Sequence, residues 1–313
     1  MNFEEVTRML PDRFGAVRSV EAIQVGLSGA GVYGVATDAG DYVLRIAPVS
    51  RETWERELVV RRITSDAGIA PTLEWVDDDR RATLMRRIGG RGFMAALAGD
   101  TDGRIRALGA VARLLRRLHS LPPEGFVPTD PVAMARQIWS MECERPGFPA
   151  WAAAALAHVD RAERLLADDQ RRAPSHNDMN PANVLWDGER AWLVDWEQSG
   201  LTHPYYDMAA LTTFLRVDDA IGLQLLTAQE GAPLSTTEAD TFVALRRLAM
   251  VFYGIMFFTL APALQPTVPG EIQEVPSMSE IYASLGSGTL SLRTPEGQAL
   301  YGAVLLKRAV LGE

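Results

Sequence analysis

A change of hydrophobic period at Gly89-Gly90 restricts the folds open to this chain more than any other feature. Between Val20 and Ile88 the segments AIQVGL, VYGVAT and DYVLRIA alternate or run apolar over strand lengths, and DAGD between the last two is a hairpin turn signal. RETWERELVVRRITSDAG then takes helical spacing, with Trp54, Leu58, Val59 and Ile63 on one face and Gly68 at its end. TLEWV and ATLMRRI, around DDDR, make a further hairpin. Beyond Gly90 helical period dominates, in IRALGAVARLLRRLHSL, PVAMARQIWSM and WAAAALAHVDRAERLLADD, and the only short strands expected there are VLWD and AWLVDW around Asp187-Gly188. The chain therefore reads as α+β: an N-terminal antiparallel sheet lobe with one helix over 1–90, and a larger, mainly helical C-terminal lobe over 91–313. The stretch from Pro266 to Ser287 reads as a loop, and a Pro-initiated helix closes the chain.

Composition removes several function classes. A net charge of −9 argues against nucleic acid as a partner, since phosphate backbones need a basic face, and the arginine pairs are scattered. The single cysteine, Cys143, cannot form an internal disulfide, and the N-terminal segment lacks a signal-peptide core, so a cytoplasmic location is expected. The uncharged run between Arg247 and Glu271 approaches membrane-spanning length. It is solitary and ends in Pro262 and Pro266, so it reads as a buried core helix, with no membrane partner. The chain has no Cys/His cluster of zinc spacing and no G-x-S-x-G elbow.

The densest chemistry lies in SHNDMNPANVLWDG and the following LVDWE. Phosphoryl transfer needs a carboxylate beside the attacking hydroxyl, oxygen ligands for Mg²⁺ and a cation on the nucleotide phosphates. Asp178 can accept or orient a hydroxyl, Asn183 can offer an amide oxygen to a metal without adding charge, and Asp195 brings a carboxylate at the end of the hairpin. HNDMNPANVL, LVDWE and YYDMAAL together resemble the catalytic loop and metal-binding acid of the aminoglycoside phosphotransferase and choline kinase superfamily, relatives of the protein kinases. HND rather than HGD is closer to the choline kinase branch.

The resemblance implies a two-lobed, protein-kinase-like fold with ATP and Mg²⁺ as cofactors and a small-molecule hydroxyl as acceptor. It implies Asp178 as catalytic base, His176 as a brace of the loop, Asn183 and Asp195 as magnesium ligands, and Asp207 as the acid that holds the catalytic loop. GLSGAGVYGV has glycines 29, 31 and 34 in G-x-G-x-x-G spacing. Strand character continues after it instead of a helix opening, so a nucleotide-covering hairpin with Ser28, Gly29 and Gly31 at the phosphates is implied rather than a dinucleotide fingerprint. A plain glycine hairpin is the alternative. Arg45 takes the place of the phosphate-facing cation, and Glu57, or else Glu55, that of its helical partner; either acid could instead pair with a nearby arginine at i,i+4. Met85 to Ile88 would receive the adenine ring. Trp196, Glu197, Tyr253, Met256 and Phe257 are the implied acceptor residues; the aromatic rings among them suit the cation of choline or ethanolamine, while a helix rich in Phe and Met also suits a core. Aminoglycosides, sugars and thiamine stay open as acceptors, as does a catalytically silent nucleotide-binding scaffold.

Overall fold

The computed structural model describes residues 2–23, 30–90, 92–260 and 268–312. It opens with a helix that the period analysis did not mark, α1 (Phe3–Met9), started by a capping box between Asn2 and Glu5. Strands β1 (Val17–Ala22), β2 (Gly31–Thr37) and β3 (Gly40–Ile46), helix α2 (Arg51–Asp66), and strands β4 (Leu73–Asp77) and β5 (Ala82–Arg86) follow. Every pairing is antiparallel, in the order β1-β2-β3-β5-β4, with β2–β3 and β4–β5 the two expected hairpins and the β3–β5 pairing, across α2 and β4, joining them. β1 ends at Ala22, earlier than AIQVGL suggested, and residues 24–29 lie outside the described residues.

β3 divides the packing of this sheet. Tyr42 and Leu44 join Val6, Leu10, Phe14 and Leu84 in one core, whereas Ala47 joins Trp54 and Leu58 of α2 in another. Side chains alternate along a strand, so Arg45 shares the α2 face with Ala47. The inner face of α2 differs from the expected one. Val59 is 44% exposed, and Glu57, Arg61 and Thr64 fill the buried stripe with Trp54 and Leu58. A charged stripe can be buried here because Glu57 and Arg61 neutralise each other at i,i+4.

After β5 come α3 (Phe93–Leu97), α4 (Thr101–His119), α5 (Pro131–Glu142), α6 (Leu156–Asp168), β6 (Ala173–Ser175), β7 (Val184–Trp186), β8 (Ala191–Leu193), β9 (Gly200–Thr202), α7 (Tyr206–Phe214), α8 (Asp219–Glu230), α9 (Thr236–Thr259), α10 (Met278–Ser287) and α11 (Pro295–Leu311). Two expectations need correction. β6 pairs with β9, a second short sheet that three-residue strands containing Pro174 did not reveal. The supposed loop up to Ser287 holds α10, nucleated by a capping box of Ser277 and Glu280.

The chain divides into two compact units, Met1–Val127 with Asp178–Ser199, and Pro128–Asn177 with Gly200–Glu313. The first carries the five-stranded sheet, α1 to α4 and the β7–β8 hairpin; the boundary expected near Ile88 to Gly92 falls inside it. There the chain runs so close to β7 that a Cβ on Gly90 would sit 2.3 Å from the Trp186 carbonyl oxygen. In the second unit α9 is the core helix, packed by α5, α6, α7 and α11. Its most apolar part has a mean hydropathy of 1.5 and is 89% buried, as the reading of a core helix demands.

Candidate active site

The motif is built by turns whose side chains bond to their own backbone. Asn180 accepts the Ala182 N–H at 3.0 Å and so caps a single 3₁₀ turn over Pro181–Asn183. That turn aims the Asn183 amide back at Asp178: its Nδ2 donates to the Asp178 carbonyl at 3.0 Å and to Oδ2 at 2.8 Å. Both bonds use the amide nitrogen and leave Oδ1 as an acceptor.

The β7–β8 hairpin closes on itself through Asp187, whose Oδ1 accepts the N–H groups of Glu189 and Arg190 at 2.8 and 2.7 Å. Val184 pairs with Leu193, and just beyond that pair Val194 N–H donates to the Asn183 carbonyl at 3.0 Å. Residues twelve apart in sequence, Asn183 and Asp195, are thereby brought to one end of the hairpin. Asp195 has φ +68° and Asn177, before Asp178, has φ +64°. Non-glycine residues in this region carry strain of order 1–3 kcal/mol, which persists where surrounding bonds hold it.

Arg45 reaches the same place from β3, where it pairs across the sheet with Val32 and Thr83. Its Nη2 lies 3.4 Å from Asp195 Oδ1 and 3.8 Å from Glu197 Oε2, and its Nη1 lies 3.1 Å from Glu57 Oε1. Glu57 is therefore the acid that meets Arg45; Glu55 pairs with Arg51 on the surface, 60% exposed. Glu57 also accepts from Arg61, so the i,i+4 partner and the Arg45 partner are the same carboxylate. Burial alone pushes the Glu57 carboxyl up, but Arg61 and Arg45 outweigh it and hold it below its ordinary value. Glu197 is raised, first by burial and then by Asp195, against the pull of Arg45, which faces three carboxylates, those of Glu57, Asp195 and Glu197. Thr83 Oγ1, fully buried opposite Arg45, has no partner among the described residues. The paired acid and amide oxygen, with a local excess of negative charge, fit a divalent cation; the unpartnered hydroxyl beside a guanidinium fits a polar ligand such as a nucleotide.

Other residues of the motif belong to the second unit. His176 follows β6 and is fully buried. Asp207, in the first turn of α7, accepts the backbone N–H of His176 at 2.9 Å and of Asn177 at 2.8 Å, which fixes the chain immediately before Asp178. Tyr253 of α9 donates its hydroxyl to the Asn177 carbonyl at 3.3 Å.

The aromatic residues singled out for the acceptor are each packed or buried within their own unit. The Tyr253 ring meets Phe214 and Phe252, Phe257 meets Tyr301 edge-on, and Trp196 is 1% exposed. Met256 is half-buried. Met85 is buried, with Arg86 and Arg87 N–H groups used by Thr72 and Asp41, and Ile88 is half-buried. Gly31 starts β2 opposite Ile46, whereas Ser28 and Gly29 lie outside the described residues. Arg61 and Thr83 were not singled out from the sequence; the only signal was the Glu57–Arg61 spacing. His203, passed over there, is buried and bonds Asp169 at 3.0 Å through Nε2 while its Nδ1 accepts the Tyr205 N–H.

Comparison with known proteins agrees with this geometry. A stretch of 38 residues is 45% identical to the LicA protein of Haemophilus influenzae, but it spans only 12% of this chain and 14% of that protein. Streptomycin 3''-kinase of Klebsiella pneumoniae is 29% identical over 208 residues, 63% of this chain and 75% of that enzyme. A choline/ethanolamine kinase family protein from Mesorhizobium loti superimposes with a TM-score of 0.71 over 100% of both chains at 20% identity, a likeness of protein-kinase-like fold. With the phosphotransferase enzyme family model, APH, matching residues 19–240, a span that holds the sheet, Arg45, the Asp178–Asn183–Asp195 cluster and Asp207, the chain belongs to that family.

Proposed function

We propose that the protein transfers the γ-phosphoryl group of ATP to the hydroxyl of a small amino alcohol of the choline or ethanolamine type. The observation that carries this reading is the convergence of Asp178, Asn183 and Asp195 through the 2.8 Å amide bond and the Val194–Asn183 backbone bond. Asp178, held at one oxygen by Asn183, orients the acceptor hydroxyl and takes its proton as the bond to phosphorus forms. Asn183 Oδ1 and the Asp195 carboxylate would hold Mg²⁺, which when bound neutralises charge on the phosphates. Arg45 presents its fork to the phosphate oxygens, and Asp207 keeps the loop in place from its backbone side. The carboxylates of Glu57, Asp195 and Glu197 gathered at Arg45, beside Asp178, favour a cationic acceptor.

A second reading is favoured by one specific finding, the match to 75% of streptomycin 3''-kinase: the acceptor would then be an aminoglycoside. ADP release with Mg-ATP should be measured against choline, ethanolamine, thiamine, sugars and aminoglycosides. Turnover on an amino alcohol, reduced about 10² to 10⁴ fold by Asp178→Asn, is the expected outcome. Turnover on streptomycin alone would replace the acceptor, and nucleotide binding with no acceptor turned over would leave a silent scaffold.

A further inference from the structure

We propose that Arg61 is a positioning residue for nucleotide binding: it holds Glu57 from behind and so keeps Arg45 from closing on that carboxylate, leaving the Arg45 fork open to phosphate oxygens. The proposal rests on reading Arg45 as the phosphate ligand. Arg61 is 2% exposed, one turn beyond Glu57 on α2. Its Nε donates to Glu57 Oε1 at 3.0 Å, its Nη2 donates to the same oxygen, and its Nη1 faces Met85 Sδ at 3.7 Å.

Arg45 is held far more loosely. Its approaches to Glu57, Asp195 and Glu197 measure 3.1 to 3.8 Å, each longer than the about 2.7–2.9 Å of a strong charge-assisted bond. Two guanidiniums thus share one carboxylate, and the deeper one has the better geometry. A one-to-one Arg45–Glu57 pair would have both forks free to close, and a phosphate would then have to displace Glu57. Arg61 prevents this without touching the ligand. A buried i,i+4 pair that merely supports α2 would have no such effect on ligand affinity.

The test is calorimetric titration of the full chain with Mg-ATP, which needs no acceptor, with thermal unfolding run beside it. Arg61→Met leaves the Arg45–Glu57 pair neutral and should fold. Its affinity for Mg-ATP should fall about tenfold, the worth of one charge-assisted bond. In a Glu57→Gln background, where Arg45 has no carboxylate to close on, Arg61→Met should change the affinity less than about threefold. Unchanged affinity in the single variant, or an equal loss in both backgrounds, overturns the proposal. Should Arg61→Met fail to fold, Arg61→Lys keeps the charge but loses the fork, and the same two comparisons decide. If the wild-type chain does not bind Mg-ATP at all, the reading of the site itself falls, and the positioning role falls with it.

Discussion

Both carboxylate oxygens of Asp207 are taken up by backbone N–H groups, those of His176 and Asn177. Asp207→Asn would turn one acceptor into a donor facing a donor. A stability loss of about 1.5–3 kcal/mol should appear in urea unfolding, because hydrogen bonds to a charged group are involved. Turnover should fall at least about tenfold, since Asp178 is the next residue along. HND and YYDMAAL made these residues legible in sequence, because each motif is written in consecutive residues. Choosing Glu57 over Glu55 was not legible. Each acid has an arginine four positions away, Arg51 before Glu55 and Arg61 after Glu57, and only the packing of α2 on β3 buries one of them and leaves the other at 60% exposure with Arg51.

Where α9 crosses α11 the two backbones come within reach of each other. A Cβ on Gly302 would stand 2.5 Å from the Gly254 carbonyl oxygen, and one on Gly254 would stand 2.8 Å from Leu306 Cγ. Gly302→Ala should therefore cost about 1–3 kcal/mol by forcing the helices apart, whereas an alanine normally favours a helix by about 1 kcal/mol over glycine. Denaturant midpoints would show the sign: stabilisation would mean that the two helices part at this crossing without cost. The apolar period of α9 was plain in sequence, and so was its burial. The partner face was not, because glycine marks both a weak helix position and a close approach. β6 and β9 were hidden for a different reason: three-residue strands are too short for a period to declare itself.

Acid sensitivity belongs to the chain as a whole and is expected to come in good part from His203. Burial pushes its imidazole down to about 4 from the ordinary 6.5, against the pull of Asp169. Its Nδ1 accepts the Tyr205 N–H, so protonation would set two donors face to face. Between these two values the unfolded chain binds a proton that the folded chain refuses. Stability is accordingly full above about pH 6.5, falls as the pH drops toward 4, and has lost about 3 kcal/mol from this group below that. His158, also lowered by burial, acts in the same direction. Urea midpoints taken from pH 7.5 to 4 should slope downward, and His203→Gln should reduce the slope; an unchanged slope would clear His203 of the effect.

Hydrophobic period, turn residues and the order of short motifs were enough to establish an antiparallel sheet before a mainly helical remainder and to select the residues that gather around Asp178. Each of these is set by neighbours a few positions apart, and so it is written in consecutive residues. The pairing of Arg45 with Glu57, the burial of Arg61 behind it, the reach of Asp207 back to His176 and the neutral state of His203 on Asp169 all depend on groups 12 to 34 residues apart, or on how much water is excluded around them. Desolvation is a property of the packed interior. Which charges are forced to share a partner there is decided when distant elements close on one another.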